Sequence, residues 1–174
     1  MDSIVHADIL VIGAGIAGAS IAYELAAGRR VVLLERESQP GYHTTGRSAA
    51  MYAPAYGNPL VRGLTRASQA FYDAPPAGFS EVPLLIPRGM LFIGTAERAE
   101  AARAMRADPQ MARILQPMSQ DDVLAWIPAL RREACVHALR DMSSQDIDAN
   151  ALHQGYLRAF RRRGGTTLTN AGVE

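Results

Sequence analysis

The stretch DILVIGAGIAGASIAYELAAGRRVVLLE, residues 8–35, decides the fold of this chain. Residues 9–12 form a continuous apolar run, which predicts a strand covered on both faces of a parallel sheet. A glycine-rich turn and a helix follow, and residues 31–34 form a second apolar strand that ends at the carboxylate of Glu35. Because strand, turn, helix, strand and terminal acid occur in this order, the stretch predicts a βαβ unit that binds a dinucleotide.

The turn contains three glycines, Gly13, Gly15 and Gly18, each suited to a different task. Gly13 permits the sharp turn out of the strand, Gly15 lets the backbone approach a pyrophosphate, and Gly18 lets the helix lie close to the sheet. The N–H groups at the start of the helix face the anion, so no cationic side chain is required there. Glu35 follows about 20 residues later, where its carboxylate can accept hydrogen bonds from both ribose hydroxyls.

Within the helix, Ala17, Ile21 and Leu25 fall on one apolar face at i, i+4 and i+8. Gly18 and Ala22 form a neighbouring stripe, and their small size predicts tight packing along it. We therefore expect a helix that lies close to its neighbours.

The apolar run from residue 9 to residue 27 approaches the length of a membrane span, but the spaced glycines and the internal Glu24 favour an enzyme turn. Residues 1–7 carry no basic segment, so we expect neither a signal peptide nor a transmembrane segment. Cys135 is the only cysteine, which excludes an internal disulfide and a cysteine-rich metal site and indicates a cytoplasmic protein.

The composition is that of a globular protein, with 174 residues of which 48% are hydrophobic. The formal net charge is +1, so the composition predicts no nucleic-acid partner. The chain contains no lysine, which excludes phosphate-loop NTPases and pyridoxal phosphate enzymes, since both classes need that side chain.

Residues 51–144 do not continue the alternation of strand and helix and predict a mixed α+β insertion. Its predicted helices follow capping residues and cover about 59–73, 96–107 and 120–127. The first predicted helix carries an apolar stripe formed by Leu60, Leu64, Phe71 and Tyr72.

The insertion also contains predicted strands. Residues 82–86 and 90–93 predict a hairpin joined by the sequence PRG, and residues 136–139 predict a further strand. Asp148 then caps a helix with an apolar stripe of Leu152, Tyr156 and Phe160. Residues 166–169 and 171–174 predict one strand, or the start of a pair, that returns to the dinucleotide sheet.

Two later segments and the first stretch resemble one known family. GYHTTGRSAAMY at 41–52 is similar to its flavin-contacting loop, and IDANALHQGYLRAFRRRGG at 147–165 resembles its helix before the strand that contacts adenine. Asp8 leads the first strand and Glu35-Arg36 follow the second, as in flavoproteins. Over residues 8–174 the chain therefore resembles the N-terminal part of the D-amino-acid-oxidase-like (DAO) family of FAD-dependent oxidoreductases.

The resemblance implies an α/β fold, with a Rossmann-like FAD-binding βαβ unit whose parallel sheet is incomplete and a mixed α+β insertion. It divides the chain into a partial FAD-binding domain, residues 1–50 and 145–174, and an insertion, residues 51–144, that contributes to a substrate or cap domain. In the family, the carboxylate-binding groups come largely from a C-terminal half that this sequence lacks. We therefore expect a truncated chain with exposed sheet edges, which relies on that missing half or on a partner chain.

The resemblance also implies which residues bind FAD. The pyrophosphate would be held by Gly13, Gly15, Ile16, Ala17 and Gly18. Glu35 would bind the adenosine ribose, Arg36 the adenosine edge, and the Val173 backbone the adenine. The pyrophosphate and the flavin ring side would be lined by Thr44, Thr45, Arg47, Ser48 and Ala49.

Ser48 stands where some relatives attach flavin through a histidine, so non-covalent FAD is expected. His43 could lie near the flavin, although a solvated loop histidine is the more common case. Cys135 matches no attachment motif of the family and predicts a buried apolar thiol.

The implied activity is oxidation of the C–N bond of an amino acid or related amine to an imine by an FAD-dependent oxidoreductase. Two alternatives stay open. One is a nicotinamide-dependent dehydrogenase, since Glu35 serves the ribose contact in both classes. The other is a non-catalytic nucleotide-binding fragment or subunit that needs a complementary chain. No catalytic residue and no metal ligand is assigned.

Overall fold

The computed structural model describes residues 5–173, and its contacts divide them into two compact units. The first unit contains residues 5–50, 71–84 and 147–173, and the second contains residues 51–70 and 85–146. The strands are β1 (Ile9–Ile12), β2 (Val31–Leu34), β3 (Met51–Tyr52), β4 (Leu85–Pro87), β5 (Met90–Gly94), β6 (Leu115–Pro117), β7 (His137–Asp141), β8 (Gln145–Ile147) and β9 (Thr166–Leu168). The helices are α1 (Ile16–Leu25), α2 (Pro59–Ala67), α3 (Gln69–Asp73), α4 (Ala99–Ala107), α5 (Pro109–Ala112), α6 (Gln120–Trp126) and α7 (Ala149–Arg162). Short 3₁₀ turns lie at Thr45–Arg47, Ala96–Arg98 and Arg132–Cys135.

The first unit is built on a parallel three-stranded sheet in the order β1-β2-β9. Ile9 pairs with Val31 and Val32 pairs with Thr166, so β2 is the central strand. α1 connects β1 to β2, and α7 precedes β9 and packs against α1. The predicted α/β fold with a Rossmann-like βαβ unit is confirmed.

One face of β1 is buried and the other is open. Ile9 and Val11 pack against the core that α1 and α7 share with the sheet, whereas Leu10 and Ile12 are 62% and 69% exposed. The prediction that both faces of this strand are covered is therefore wrong for the described residues. Successive side chains of a strand point to opposite faces, and the helices of this unit cover the face of Ile9 and Val11.

α1 buries two alanines and one tyrosine. Ala19, Ala22 and Tyr23 are buried, at the spacing of one helix face. Ala17 and Ile21, from the predicted apolar face, are exposed. Of the predicted thin stripe, Ala22 is buried and Gly18 is half-buried, and Leu25 of the predicted apolar face packs against the core.

α7 begins and packs as its sequence predicts. The Asp148 carboxylate accepts the Ala151 N–H at 2.7 Å and caps the helix. Leu152 and Phe160 are buried, and Tyr156 packs against the same core. The spacing of this stripe was sufficient to identify the buried face.

Residues 71–84 belong to the first unit, whereas the sequence division assigns them to the insertion. Phe71, Phe79 and Tyr156 form an aromatic cluster with ring centres 5.0–5.5 Å apart. Desolvation of the hydroxyl raises the pKa of Tyr156 to about 12. The segment joins the first unit because burial of large aromatic surfaces is strongly favourable.

The second unit contains two further three-stranded sheets, in the orders β3-β8-β4 and β5-β7-β6. β7 runs antiparallel to both of its neighbours. The predicted hairpin of residues 82–86 with 90–93 is wrong, because β4 and β5 pair in different sheets. The N–H groups of Arg88 and Gly89 donate to the Ser144 carbonyl, at 3.4 and 2.9 Å, and so do not close a turn between these strands.

The predicted helix over residues 59–73 is interrupted and forms α2 and α3. Asn58 caps α2 as predicted, since its side chain accepts a backbone N–H at 3.0 Å. α2 ends where the N–H and the hydroxyl of Ser68 both donate to the Leu64 carbonyl. Leu60 and Leu64 are exposed, so the predicted stripe is not one buried face.

The remaining predictions differ less from the structure. The Ser119 hydroxyl accepts the Asp122 N–H at 3.1 Å and opens α6, as predicted. Residues 171–173 do not form the predicted strand, because Asn170 has a φ of +53° and turns the chain after β9. Glu174 lies outside the described residues. Among residues 5–173, no helix is both long and apolar enough to cross a membrane.

Candidate dinucleotide-binding site

Gly13 and Gly18 make the turn after β1 possible. Gly13 has a φ of +92°, which residues with a side chain rarely adopt, and its N–H donates to the Leu34 carbonyl at 2.7 Å. A Cβ on Gly18 would lie 1.8 Å from the Gly13 carbonyl oxygen, so only glycine fits there. The predicted sharp turn and the close approach of α1 are both present.

The N-cap residue of α1 provides no side chain that accepts hydrogen bonds from the N–H groups of the first turn. Gly15 is the N-cap, and the first turn contains no acidic residue. The Ile16 N–H donates to the Thr45 hydroxyl oxygen at 2.9 Å. Within residues 5–173, no acceptor is bonded to the N–H groups of Ala17 and Gly18. Together with the positive end of the helix dipole, these groups can bind an anion.

Glu35 follows β2 and lies beside the glycine turn. One carboxylate oxygen accepts the Ala14 N–H at 2.9 Å, and the other accepts the Glu37 N–H at 3.0 Å. A carboxylate offers about four acceptor positions, so each oxygen keeps room for a further donor. The side chain is therefore fixed in place and still able to bind hydroxyl groups.

Arg36, Glu37 and His43 form a charged cluster next to Glu35. His43 Nε2 lies 2.8 Å from a Glu37 carboxylate oxygen, and Arg36 Nε lies 3.2 Å from the same oxygen. The hydrogen bond with His43, aided by the charge of Arg36, holds the pKa of Glu37 below its usual value. The cluster connects the loop that follows residue 40 to the end of β2.

The loop at residues 41–49 brings one of its predicted residues directly to the glycine turn. A Cβ added to Gly15 would lie 3.1 Å from the Thr45 hydroxyl oxygen, so the two segments are in contact. The Ser48 hydroxyl accepts the Ala50 N–H at 3.0 Å and is engaged within the loop. The other predicted loop residues are exposed, and they are Thr44, Arg47, Ser48 and Ala49.

The segment after β9 returns to Glu35. The Ala171 N–H donates to the Glu35 carbonyl at 2.8 Å, and the Asn170 N–H donates to the Glu37 carbonyl at 3.0 Å. Val173 is exposed and lies two residues further on, within roughly 7 Å of extended chain from Ala171. The predicted adenine contact is thus on a segment anchored to the predicted ribose-binding acid.

His153, a side chain of α7 that reaches the glycine turn, was not predicted from the sequence. It is 3% exposed, and its Nε2 lies 2.8 Å from the Ala14 carbonyl oxygen. No sequence motif connects it to a residue 139 positions earlier. Over the described part of the chain, no group of three or more His, Cys, Asp or Glu side chains could hold a metal ion.

Comparisons with known proteins identify a family and similar folds. The family model "FAD dependent oxidoreductase" (DAO) matches residues 8–174. The fold is similar to L-α-glycerophosphate oxidase from Mycoplasma pneumoniae with FAD bound, at a TM-score of 0.76 and 18% identity over 96% of this chain and 45% of that chain. It is also similar to glycine oxidase from Geobacillus kaustophilus, at a TM-score of 0.74 and 21% identity over 94% of this chain and 46% of that one. For L-proline dehydrogenase from P. horikoshii the TM-score is 0.75, with 18% identity over 97% of this chain and 45% of that one. The chain spans less than half of the length of each of these structures.

Proposed function

The chain belongs to the DAO family of FAD-dependent oxidoreductases, whose cofactor is FAD, and we propose that it binds FAD at the turn between β1 and α1. The diphosphate lies against the backbone of Gly13, Gly15, Ile16, Ala17 and Gly18. One observation carries the proposal: this turn excludes a side chain where α1 begins and leaves two helix N–H groups without an acceptor in the described chain. Such a site fits a diphosphate because it offers close backbone approach and a positive dipole end.

Glu35 and Arg36, which follow β2, are assigned to the adenosine half of FAD. Glu35 accepts hydrogen bonds from the ribose hydroxyls, which its two fixed oxygens can do in addition to their backbone contacts. Arg36 contacts the adenosine edge, and its exposed side chain supports this role. The Val173 backbone contacts the adenine from the segment that Ala171 anchors to Glu35.

The loop at residues 41–49 is assigned to the pyrophosphate and the flavin ring side. Thr45 accepts the Ile16 N–H, so its hydroxyl proton is available for a phosphate oxygen. The remaining loop contacts are assigned to Thr44, Arg47, Ser48 and Ala49. Ser48 provides no imidazole for a flavin bond, and FAD is therefore held without covalent attachment.

The reaction we propose is oxidation of the C–N bond of an amino acid or related amine to an imine. FAD supplies the chemistry by accepting a hydride equivalent from the carbon beside the amine. The chain's own residues bind and orient the cofactor. Two of the similar structures are named for amino acids, glycine and L-proline, which supports this substrate class. The third similar structure is named for glycerophosphate, so turnover must be measured both with amino acids and with glycerophosphate.

We propose that residues outside this chain complete the substrate site, from a C-terminal half or a partner chain. The open face at Leu10 and Ile12 supports this, because apolar side chains of a sheet gain stability when they are covered. A cytoplasmic location is also proposed, since a single cysteine is typical of proteins without disulfides.

FAD binding by the chain tests the proposal. Gly15→Ala places a Cβ 3.1 Å from the Thr45 hydroxyl and narrows the turn, and we expect the Kd for FAD to rise about tenfold or more. Gly63→Ala in α2 is the matched control, because an added Cβ there meets no atom within 4 Å. Quenching of flavin fluorescence measures both affinities, with NAD as competitor. Equal affinities of the two variants, or preferential binding of NAD, would overturn the proposal.

A further inference from the structure

His153 is buried where three segments of the first unit meet. Its ring lies on α7, and Nε2 is 2.8 Å from the Ala14 carbonyl oxygen inside the glycine turn. A carbonyl oxygen can only accept a hydrogen bond, so Nε2 carries the proton and donates it. The imidazole therefore fixes the position of a backbone atom between Gly13 and Gly15.

The same ring lies against the start of the loop at residues 41–49. A Cβ on Gly41 would lie 2.7 Å from Cε1 and 3.0 Å from Nδ1 of His153, and Gly41 has a φ of +79°. Position 41 therefore requires glycine both for its backbone conformation and for the space that the imidazole occupies. The loop backbone is in direct contact with the His153 ring.

From Gly41 the contacts continue to the first residue of α1. The Gly41 carbonyl accepts the Gly46 N–H at 2.8 Å and closes the turn that contains Thr45. The Thr45 hydroxyl then accepts the Ile16 N–H at 2.9 Å. His153 thus supports the glycine turn through Ala14 and the loop through Gly41.

We infer that His153 is a positioning residue for the FAD site, which holds the glycine turn and the loop at residues 41–49 at a fixed separation. Its effect passes through the Ala14 carbonyl and the Gly41 backbone. A site whose parts are held in place before binding loses less entropy when the ligand binds. The inference rests on the proposed function, because the separation affects affinity only if FAD binds at these segments.

Three variants separate positioning from general stability. His153→Leu removes the donor and keeps an apolar side chain, whereas His153→Gln keeps an N–H group at about the position of Nε2. Leu157→Ala is the matched control, since Leu157 is buried in the same core four positions further along α7. All three variants are compared at a temperature at which they are folded.

Two measurements are made on each variant: the Kd for FAD by flavin fluorescence quenching, and amide hydrogen exchange of Ile16 and Gly46 without FAD. We expect His153→Leu to raise the Kd about tenfold, as loss of a buried hydrogen bond does, and to speed exchange at both amides. His153→Gln should restore the Kd to within about threefold of the wild type. Leu157→Ala should leave the Kd unchanged.

An unchanged Kd in His153→Leu, or an equal rise in Leu157→Ala, would overturn the inference and leave the proposed function standing. A wild-type chain that binds no FAD would overturn both. If His153→Leu does not fold, His153→Asn replaces it, because the shorter side chain withdraws the donor from Ala14. Equal Kd values for His153→Asn and His153→Gln would then count against the inference.

Discussion

The glycine turn of the first unit and the strands of the second unit are determined in different ways. At the turn the constraint is local and steric, since Gly13 has a positive φ and Gly18 has no room for a Cβ. In the second unit the constraint is pairing between distant segments, as where β5 and β6 both pair with β7. A local constraint appears as a motif in the sequence, whereas a pairing is decided by competition among several possible partners.

The largest contrast is expected when glycine is replaced in the two units. Gly18→Ala must displace the Gly13 backbone, which lies 1.8 Å from the new Cβ, and should lower the free energy of unfolding by about 4 kcal/mol. Gly63→Ala in α2 meets no atom within 4 Å and should raise it by about 0.8 kcal/mol, because alanine favours helix. Urea unfolding followed by circular dichroism measures both, and similar effects at the two positions would contradict a steric role for Gly18.

A smaller effect is expected from an ion pair of the second unit in which the arginine is buried and the aspartate is partly exposed. Arg62 is 6% exposed and donates to the Asp108 carboxylate at 2.6 Å and to the Gly57 carbonyl at 2.8 Å. Arg62→Ala leaves both acceptors without this partner and should lower the free energy of unfolding by about 2 kcal/mol. Arg132→Ala removes an exposed pair with Asp121 and should change it by less than about 0.5 kcal/mol. Urea unfolding measures both variants. Equal decreases in their free energy of unfolding would show that burial of Arg62 does not determine the size of the effect.

The aromatic cluster of the first unit should give a pH dependence that the second unit does not share. The pKa of Tyr156 is raised by burial to about 12, from 10.0 without the protein environment. The unfolded chain therefore loses this proton first, and stability that is constant below about pH 10 should fall as the pH approaches 12.

Tyr156→Phe should reduce the dependence of stability on pH. Part of this dependence should remain, because burial also raises the pKa of Tyr72. Thermal unfolding at several values from pH 8 to pH 11 compares the two proteins. If stability depends on pH equally in Tyr156→Phe and in the wild type, Tyr156 is not the source of the dependence.

The first unit could largely be predicted because its signals act over short distances. The turn, β1, β2 and the Asp148 cap of α7 each depend on neighbouring residues. The wrong predictions concern which side chains are buried by other segments. The apolar run at residues 9–12 indicates a preference for burial, but Leu10 and Ile12 are exposed in the described chain. In α1 Ile21 is exposed while Ala19, Ala22 and Tyr23 are buried, so the larger apolar side chains alone did not identify the buried face.

The second unit was less predictable because its decisive contacts join distant segments. Pro87, Arg88 and Gly89 have the composition of a hairpin turn, but the Ser144 carbonyl accepts the two N–H groups of that turn. His153 was missed in the first unit for the same reason, since its acceptor lies in another part of the sequence. The roles of the individual cofactor-binding residues stay predictions.

The most direct test of the proposed FAD site is an FAD titration of the isotope-labelled chain followed by amide NMR. If the diphosphate binds where we propose, the largest shifts should occur at residues 13–18, with smaller ones at Glu35 and in the loop at residues 41–49. The Ala17 and Gly18 amides should move most, since they have no acceptor in the described chain. Shifts confined to the second unit, or no shift at these two amides at saturating FAD, would contradict FAD binding at the glycine turn.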